Sequence, residues 1–210
     1  MGAAQFDHFL SLVLDQLDFK LDSYQVETLH KHYVLLRQWN KHINLTGIED
    51  PKELVFRHFG ESLAVAKVIG SGTGSVVDVG SGGGFPGVPV AVCWPDREVT
   101  LVESSEKKGV FLKEMARMQR NLAVFVGRLR EFHARCEWAT IRGVAPAEVE
   151  GEVGKLAQKV VLVVSAAKAP QAVERLGLAE VHEHLVPWDP RSVIIAGETV
   201  SLRVPRETGT

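Results

Sequence analysis

Apolar side chains recur at helical spacing from the start of the chain. Phe6, Phe9, Leu10, Val13, Leu14 and Leu17 follow the i, i+3, i+4, i+7 pattern, which predicts an amphipathic helix over 3–17. A second helix is expected to start at Asp22. Its carboxylate can cap, Gln25 occupies the reciprocal capping-box position, and Leu21 and Val26 are spaced for a hydrophobic staple. Its apolar stripe includes Leu29, Tyr33, Leu36 and Ile43. The polar run 40–47 (NKHINLTG) breaks it. Asp50-Pro51 restarts a helix, with proline at the first helical position. That helix is expected to reach about His58 and to resume after Gly60 through Ala66.

The pattern changes at residue 70. A turn cluster, GSGTGS, leads into a β-branched run, SVVDVG, and then into the glycine-rich loop SGGGFPG. Beyond it, short apolar runs alternate with helical stretches. Strands are expected at Val99–Glu103, Ala123–Val126, Trp138–Ile141, Val160–Ser165, Val181–Val186 and Ser192–Ala196, with helices at about 87–93, 105–119, 147–157 and 170–177. Such alternation implies βαβ crossovers and a mostly parallel sheet. The expected organisation is a helical arm, residues 1–69, joined to one α/β domain, residues 70–210.

Composition narrows the class. Hydrophobic residues are 45% of the 210 and charged residues 24%, which excludes a largely disordered chain; 19 Gly and 9 Pro without a three-residue period exclude a collagen-like one. Two cysteines, Cys93 and Cys136, form neither a C-x-x-C nor a zinc spacing, so reduced thiols in the cytoplasm are expected, with no metal. No apolar run reaches the length of a membrane span, and the N-terminus lacks the basic region of a signal peptide. The net charge of −2 favours no partner, but Lys107–Arg135 holds eight basic residues against Glu114 and Glu131. That segment reads either as a phosphate-following patch or as a solvated helix face.

The glycine loop carries the most chemistry. A strand that meets glycines and then a helix makes a cofactor platform. Gly80 allows the tight turn, Gly82 removes a Cβ where ligand and backbone approach, and Gly84 permits helix–sheet contact. Glu103, at the end of the next strand and 23 residues after Gly80, is placed to bind two ribose hydroxyls. The frame from Gly80 is G-x-G-x-G, with Phe85 where a dinucleotide fingerprint needs its third glycine. The frame Gly82–Gly87 does read G-x-G-x-x-G, but its first glycine falls beyond the strand end at Val79. Asp78 discriminates further, because a carboxylate beside a pyrophosphate is repelled whereas one beside an ammonium or sulfonium is attracted. The residues therefore favour S-adenosylmethionine over a nicotinamide dinucleotide.

Three segments then resemble one known family: Trp39-Asn40-Lys41-x-x-Asn44-Leu45-Thr46, Arg57-His58-x-x-Glu61-Ser62-Leu63, and the run from Asp78 to Gly87. They are similar to the glucose-inhibited division protein B family, whose members are bacterial small-subunit rRNA guanine-N7 methyltransferases. The likeness continues through Thr100–Ser104, Lys107-Lys108, Gly127-Arg128 with Glu131-Phe132, and Arg142, covering about residues 33–145. The resemblance implies a Rossmann-like class I S-adenosylmethionine-dependent methyltransferase fold with an N-terminal α-helical extension. It implies Gly80 and Phe85 against the methyl donor, Glu103 on the ribose, Leu129 and Arg130 beside the adenine, and Arg142 at the methyl-transfer pocket. It also implies a guanine of 16S rRNA as substrate, at position 527 of the usual rRNA numbering, met as rRNA or within the small ribosomal subunit. The chain departs from the family pattern at Arg130, usually an acid or small residue, at Glu61, usually aspartate, and at Gly143, often alanine. The usual Pro-Gly-Gly turn before the fifth strand is missing, with only Gly154-Lys155-Leu156 in its place.

Several candidates keep two readings. Arg142 either orients the guanine O6 edge or a neighbouring phosphate through its planar fork, or pairs with a carboxylate that holds the strand end. His58 is substrate-facing or packed. Asn44 and Thr46 position the base or cap the following turn. Phe85 packs on the donor or in the core. Lys107 and Lys108, with Lys113, Arg117 and Arg120, contact phosphate if the substrate is RNA. A methyltransferase acting on a small molecule or protein, and a non-catalytic RNA-binding assembly module, remain the alternatives to an rRNA methyltransferase.

Overall fold

The computed structural model describes residues 3–200. Helix α1 spans Ala3–Leu17 and α2 spans Ser23–Trp39. The capping box is formed in full: Gln25 N donates to Asp22 Oδ1 (2.8 Å) and Asp22 N donates to Gln25 Oε1 (2.9 Å). Asp50 caps α3 (Pro51–Leu54) by accepting from Glu53 N at 2.7 Å. No gap separates α3 from the next helix. A π-helical turn, Val55–Gly60, runs straight into α4, Glu61–Ile69. Trp188 lies over Gly60, where an added Cβ would stand 2.5 Å from its ring, so the glycine continues the helix and gives this aromatic its seat.

The remaining elements are β1 (Val76–Val79), α5 (Gly87–Cys93), β2 (Val99–Glu103), α6 (Glu106–Met118), β3 (Leu122–Val126), β4 (Cys136–Arg142), α7 (Pro146–Val149), α8 (Val153–Leu156), β5 (Ala157–Ser165), α9 (Ala169–Leu176), β6 (Leu178–Leu185) and β7 (Ser192–Thr199). They form one seven-stranded sheet of order β3-β2-β1-β4-β5-β7-β6. The first five strands are parallel, and β7 is antiparallel to both β5 and β6.

Two further expectations change. The helix expected over 147–157 is two short helices, because Gly151 sits at φ +76°, outside the helical region, and Ala157 already pairs with Cys136 as the first residue of β5. The strand expected at Val181–Val186 starts at Leu178 and is interrupted by a register shift between Ala179 and His182, where Glu180 has φ +50°. The helix before it ends on Gly177 in the left-handed conformation.

Strand alternation sorts the side chains of β1 onto two faces. Val76 belongs to an apolar cluster with Phe6, Leu10, Leu29, Leu36 and Leu63 of the helical segment and with Phe111 of α6. Val77 and Val79 face a second cluster with Val149, Val153, Leu156 and Ala172. The helices of the first 69 residues thus share a continuous core with the sheet. Phe6 is fully buried against Tyr33 and edge-on to Phe59. Among the described residues no helix is long and apolar enough to cross a membrane, and no group of three His, Cys, Asp or Glu could hold a metal ion.

Candidate active site

The chain leaves β1, builds β2 and β3 on one side, then crosses to β4 on the other. At such a reversal the loops diverge and leave a crevice outside the carboxyl ends of the strands. A cavity of about 630 Å³ lies there, bounded by Val79 at the end of β1 and Gly80 after it, Glu103 at the end of β2, Leu129 and Arg130 after β3, and Val144 after β4. That is an ordinary size for a small-molecule site.

The glycine loop sets its floor. Gly80, Gly82 and Gly84 have φ of +70°, +53° and +86°, a region that residues with a Cβ rarely adopt. Each glycine meets a different constraint. A Cβ on Gly80 would lie 2.4 Å from Val144 Cγ2, and one on Gly84 would lie 2.8 Å from Val88 Cγ2. A Cβ on Gly82 would meet nothing closer than the Gly80 carbonyl oxygen, at 3.8 Å, so this glycine faces open space in the cavity. Gly82 N donates to Glu103 Oε2 (2.9 Å) and Ser105 N to Glu103 Oε1 (2.8 Å). Two backbone amides therefore fix a carboxylate at the cavity wall, with lone pairs left on both oxygens.

Asp78 stands elsewhere. It is completely buried on the sheet face covered by α5, where Thr140 Oγ1 donates to Oδ1 (2.8 Å) and Gly87 N to Oδ2 (3.2 Å). Burial pushes its carboxyl up to about 6, against the lowering effect of those donors. The pairing with a cationic ligand end expected of Asp78 is thus replaced by an anchor that ties the start of α5 to β4. A strand residue two places before a glycine turn points to the sheet face opposite that of its immediate neighbours, and here that face is core.

Phe85 and Gly84 also lie outside the cavity wall. The Phe85 ring is sandwiched between His58 (centroids 4.8 Å apart) and His32 (4.6 Å) and meets Phe59 edge-on. This is the core alternative for Phe85. His32, which the sequence did not single out, is fully buried, and its Nε2 donates to the Gly83 carbonyl at 2.8 Å, which requires the Nε2–H tautomer. Burial lowers its pKa to about 4; burial, with the charges of Arg142 and Arg57, lowers that of His58 to about 3. Both imidazoles are therefore neutral. His58 Nε2 pairs with Thr46 Oγ1 (2.6 Å), and Ile48 N donates to the same hydroxyl, so Thr46 closes the turn it begins. Asn40 braces that turn, accepting from Leu45 N and Thr46 N and donating to the Thr46 carbonyl.

The Arg142 guanidinium is ion-paired with Glu61. Its Nε and Nη2 both reach Glu61 Oε2 at 2.8 Å, and Nη2 also donates to the Arg57 carbonyl at 3.0 Å. Gly143, the next residue, lines the cavity. Lys108 lines it as well, whereas Lys107 and Asn44 are exposed on the surface. The structure thus gathers Gly80, Gly82, Glu103, Leu129, Arg130 and Lys108 around one cavity, and His58, Thr46 and Phe85 into an adjoining packed cluster. Glu148 and Glu152, acids on the far wall, carry no sequence signal because they belong to no motif and reach the cavity only through the crossover after β4.

The sheet order and a glycine-floored cavity at the switch point define the Rossmann-like fold of S-adenosylmethionine-dependent methyltransferases. The crystal structure of magnesium protoporphyrin IX methyltransferase from Synechocystis PCC 6803 with bound SAM superposes with a TM-score of 0.60 at 15% identity, covering 86% of this chain and 98% of that one. Residues 25–180 match the GidB family, rRNA small subunit methyltransferase G, and the chain belongs to that family. A ribosomal RNA small subunit methyltransferase G from Stutzerimonas stutzeri is 41% identical over 122 residues, 58% of this chain and 54% of that protein. The chain spans just over half the length of that relative. The protein of the same name from Desulforamulus reducens is 31% identical over 203 residues, covering 86% of this chain and 85% of its own length.

Proposed function

We propose that the chain binds S-adenosylmethionine in the cavity at the strand ends and transfers its methyl group to N7 of a guanine in 16S rRNA, position 527 of the usual numbering. The observation that carries the donor half is Gly82, open to the cavity on its Cα side while its amide is tied to Glu103. The fit is chemical as well as spatial: a preoriented carboxylate suits ribose hydroxyls, and the Leu129–Glu131 turn offers an apolar side chain and backbone groups for a purine. Membership of the GidB family supports the RNA half.

S-adenosylmethionine, when bound, supplies an electrophilic methyl group on a sulfonium. The chain's own task is alignment. Guanine N7 presents a lone pair with no proton to remove, so no general base is needed, which agrees with two imidazoles held neutral in packed positions. Proximity and orientation can contribute on the order of 7–11 kcal/mol when both partners are held in line. Glu103 and the glycine loop hold one partner. Arg142, beside the cavity at the end of β4, orients the guanine O6 edge or an adjacent phosphate. The helical segment carries the exposed Asn44 and the partly exposed Arg57 to the substrate side. Lys107, Lys113, Arg117, Arg120, Arg128, Arg130 and Arg135 are exposed and follow the phosphates. The substrate places the protein in the cytoplasm.

The test is mass mapping of modified nucleosides in 16S rRNA from cells lacking the modification, before and after incubation with enzyme and donor. A new 7-methylguanosine at that position is expected. Transfer to a small molecule or protein with none to rRNA would overturn the RNA half, and absence of donor binding by calorimetry would overturn both.

A further inference from the structure

We infer that Glu61 is the positioning residue of the reaction, setting the guanidinium of Arg142 for the target base. The inference rests on the reading of Arg142 as the base-orienting group. Glu61 is the first residue of α4 and is 1% exposed. Its contact with Arg142 is not the usual two-oxygen fork. Nε and Nη2 converge on the single oxygen Oε2, both at 2.8 Å, and Nη2 is tied a second time to the Arg57 carbonyl. Two rigid points on one planar group fix its plane and its direction, while Nη1 takes part in neither contact.

The arrangement is a poor device for stability. Glu61 Oε1 is buried without a hydrogen bond, and so is Arg57 Nε, 3.7 Å away. Replacing a buried ion pair by hydrophobic residues of similar volume is often neutral or stabilising, so such a pair is weak evidence of a stabilising role. What the arrangement does supply is geometry. The π-helical turn Val55–Gly60 delivers the Arg57 carbonyl and, one residue after the turn, the Glu61 carboxylate to the same guanidinium, 81 residues away in the chain. Arg142 is the last residue of β4, and the residue after it, Gly143, lies in the cavity wall. Arg57 places a second positive charge beside the carboxylate, so the pair Glu61–Arg142 stays anchored without neutralising the face that meets RNA.

A double-mutant cycle in the full-length protein tests this, using Glu61→Gln, Arg142→Ala and the two combined. Each variant is measured for S-adenosylhomocysteine affinity by calorimetry and for single-turnover methyl transfer to small subunits lacking the modification. Glu61→Gln is expected to keep donor affinity within about twofold and to lose about 10- to 100-fold in the transfer rate, the range seen when an orienting partner is removed. Glu61→Asp, which keeps the charge, should recover part of that rate. The double variant should be no slower than Arg142→Ala alone, because Glu61 acts only through Arg142. Multiplicative losses would overturn the inference, as would wild-type transfer by Glu61→Gln beside an impaired Arg142→Ala, and both results leave the Arg142 reading intact. Wild-type transfer by Arg142→Ala would remove that reading and this inference together. Loss of donor affinity in both Glu61→Gln and Glu61→Asp would assign Glu61 to the fold instead and also overturn it.

Discussion

Replacing Gly82 by valine should separate donor binding from folding. The position has φ +53°, so any side chain carries left-handed strain of about 1–2 kcal/mol. A Cβ there meets no protein atom closer than 3.8 Å, so the Cβ itself adds no clash to the strain. At about 2–4 °C per kcal/mol for a chain of this size, the midpoint of thermal unfolding should fall by about 2–8 °C and unfolding should stay cooperative. The ligand meets a different situation. The isopropyl group projects into the volume beside the Gly80 and Glu103 walls, where the donor is proposed to lie. If those walls yield as a packed core does, accommodation costs about 1–3 kcal/mol, which is about 5- to 150-fold in Kd. Gly82→Ala is the internal control, since it carries similar backbone strain with one methyl group. Calorimetric titration with S-adenosylhomocysteine, beside thermal unfolding of the same preparations, reads both quantities. A valine variant that binds within twofold of the alanine variant would refute the placement of the donor over Gly82.

Gly87→Ala should do the reverse and unfold the protein more than it weakens the site, because its Cβ would lie 2.3 Å from Leu101 Cδ2 and 2.8 Å from Asp78 Cβ in the core; a melting temperature equal to wild type would contradict this. Phe6→Ala should cost about 3–5 kcal/mol by chemical denaturation with one cooperative transition, since Phe6 is fully buried in the core that the helical segment shares with the sheet; a separate early transition would contradict a shared core. His32, with its pKa lowered to about 4, contributes stability that is complete above the unfolded value near 6.5 and is lost as pH falls toward 4. The stability gap between wild type and His32→Gln should therefore narrow by about 2 kcal/mol between pH 7.5 and pH 5, and a gap independent of pH would show that the imidazole is not held neutral. Asp78, raised to about 6, acts in the opposite direction in both proteins, adding stability as pH falls from 6 to its unfolded value, so it cancels from that difference.

Local pattern was enough for most elements. The helix over 3–17, the capping box at Asp22 and the strand Val99–Glu103 depend on spacing and on contacts within a few residues, and these the chain states directly. The glycine loop and Glu103 were legible for the same reason: positive φ and a carboxylate at a strand end are properties of short segments. Asp78 marks the boundary. Its distance from the glycines places it near a ligand, but which face of β1 meets the cavity is set by the neighbouring strands and by the closeness of α5, and no local signal carries that. His32 lies in an ordinary amphipathic helix, and only the fold brings its ring to the Gly83 carbonyl, 51 residues away. Glu61 and Arg142, 81 residues apart, meet only because a π-helical turn and the end of β4 converge. Short-range stereochemistry is written in the order of residues; which buried polar groups become partners depends on the packing of whole layers, where every buried donor and acceptor competes for the partners the tertiary structure brings within reach.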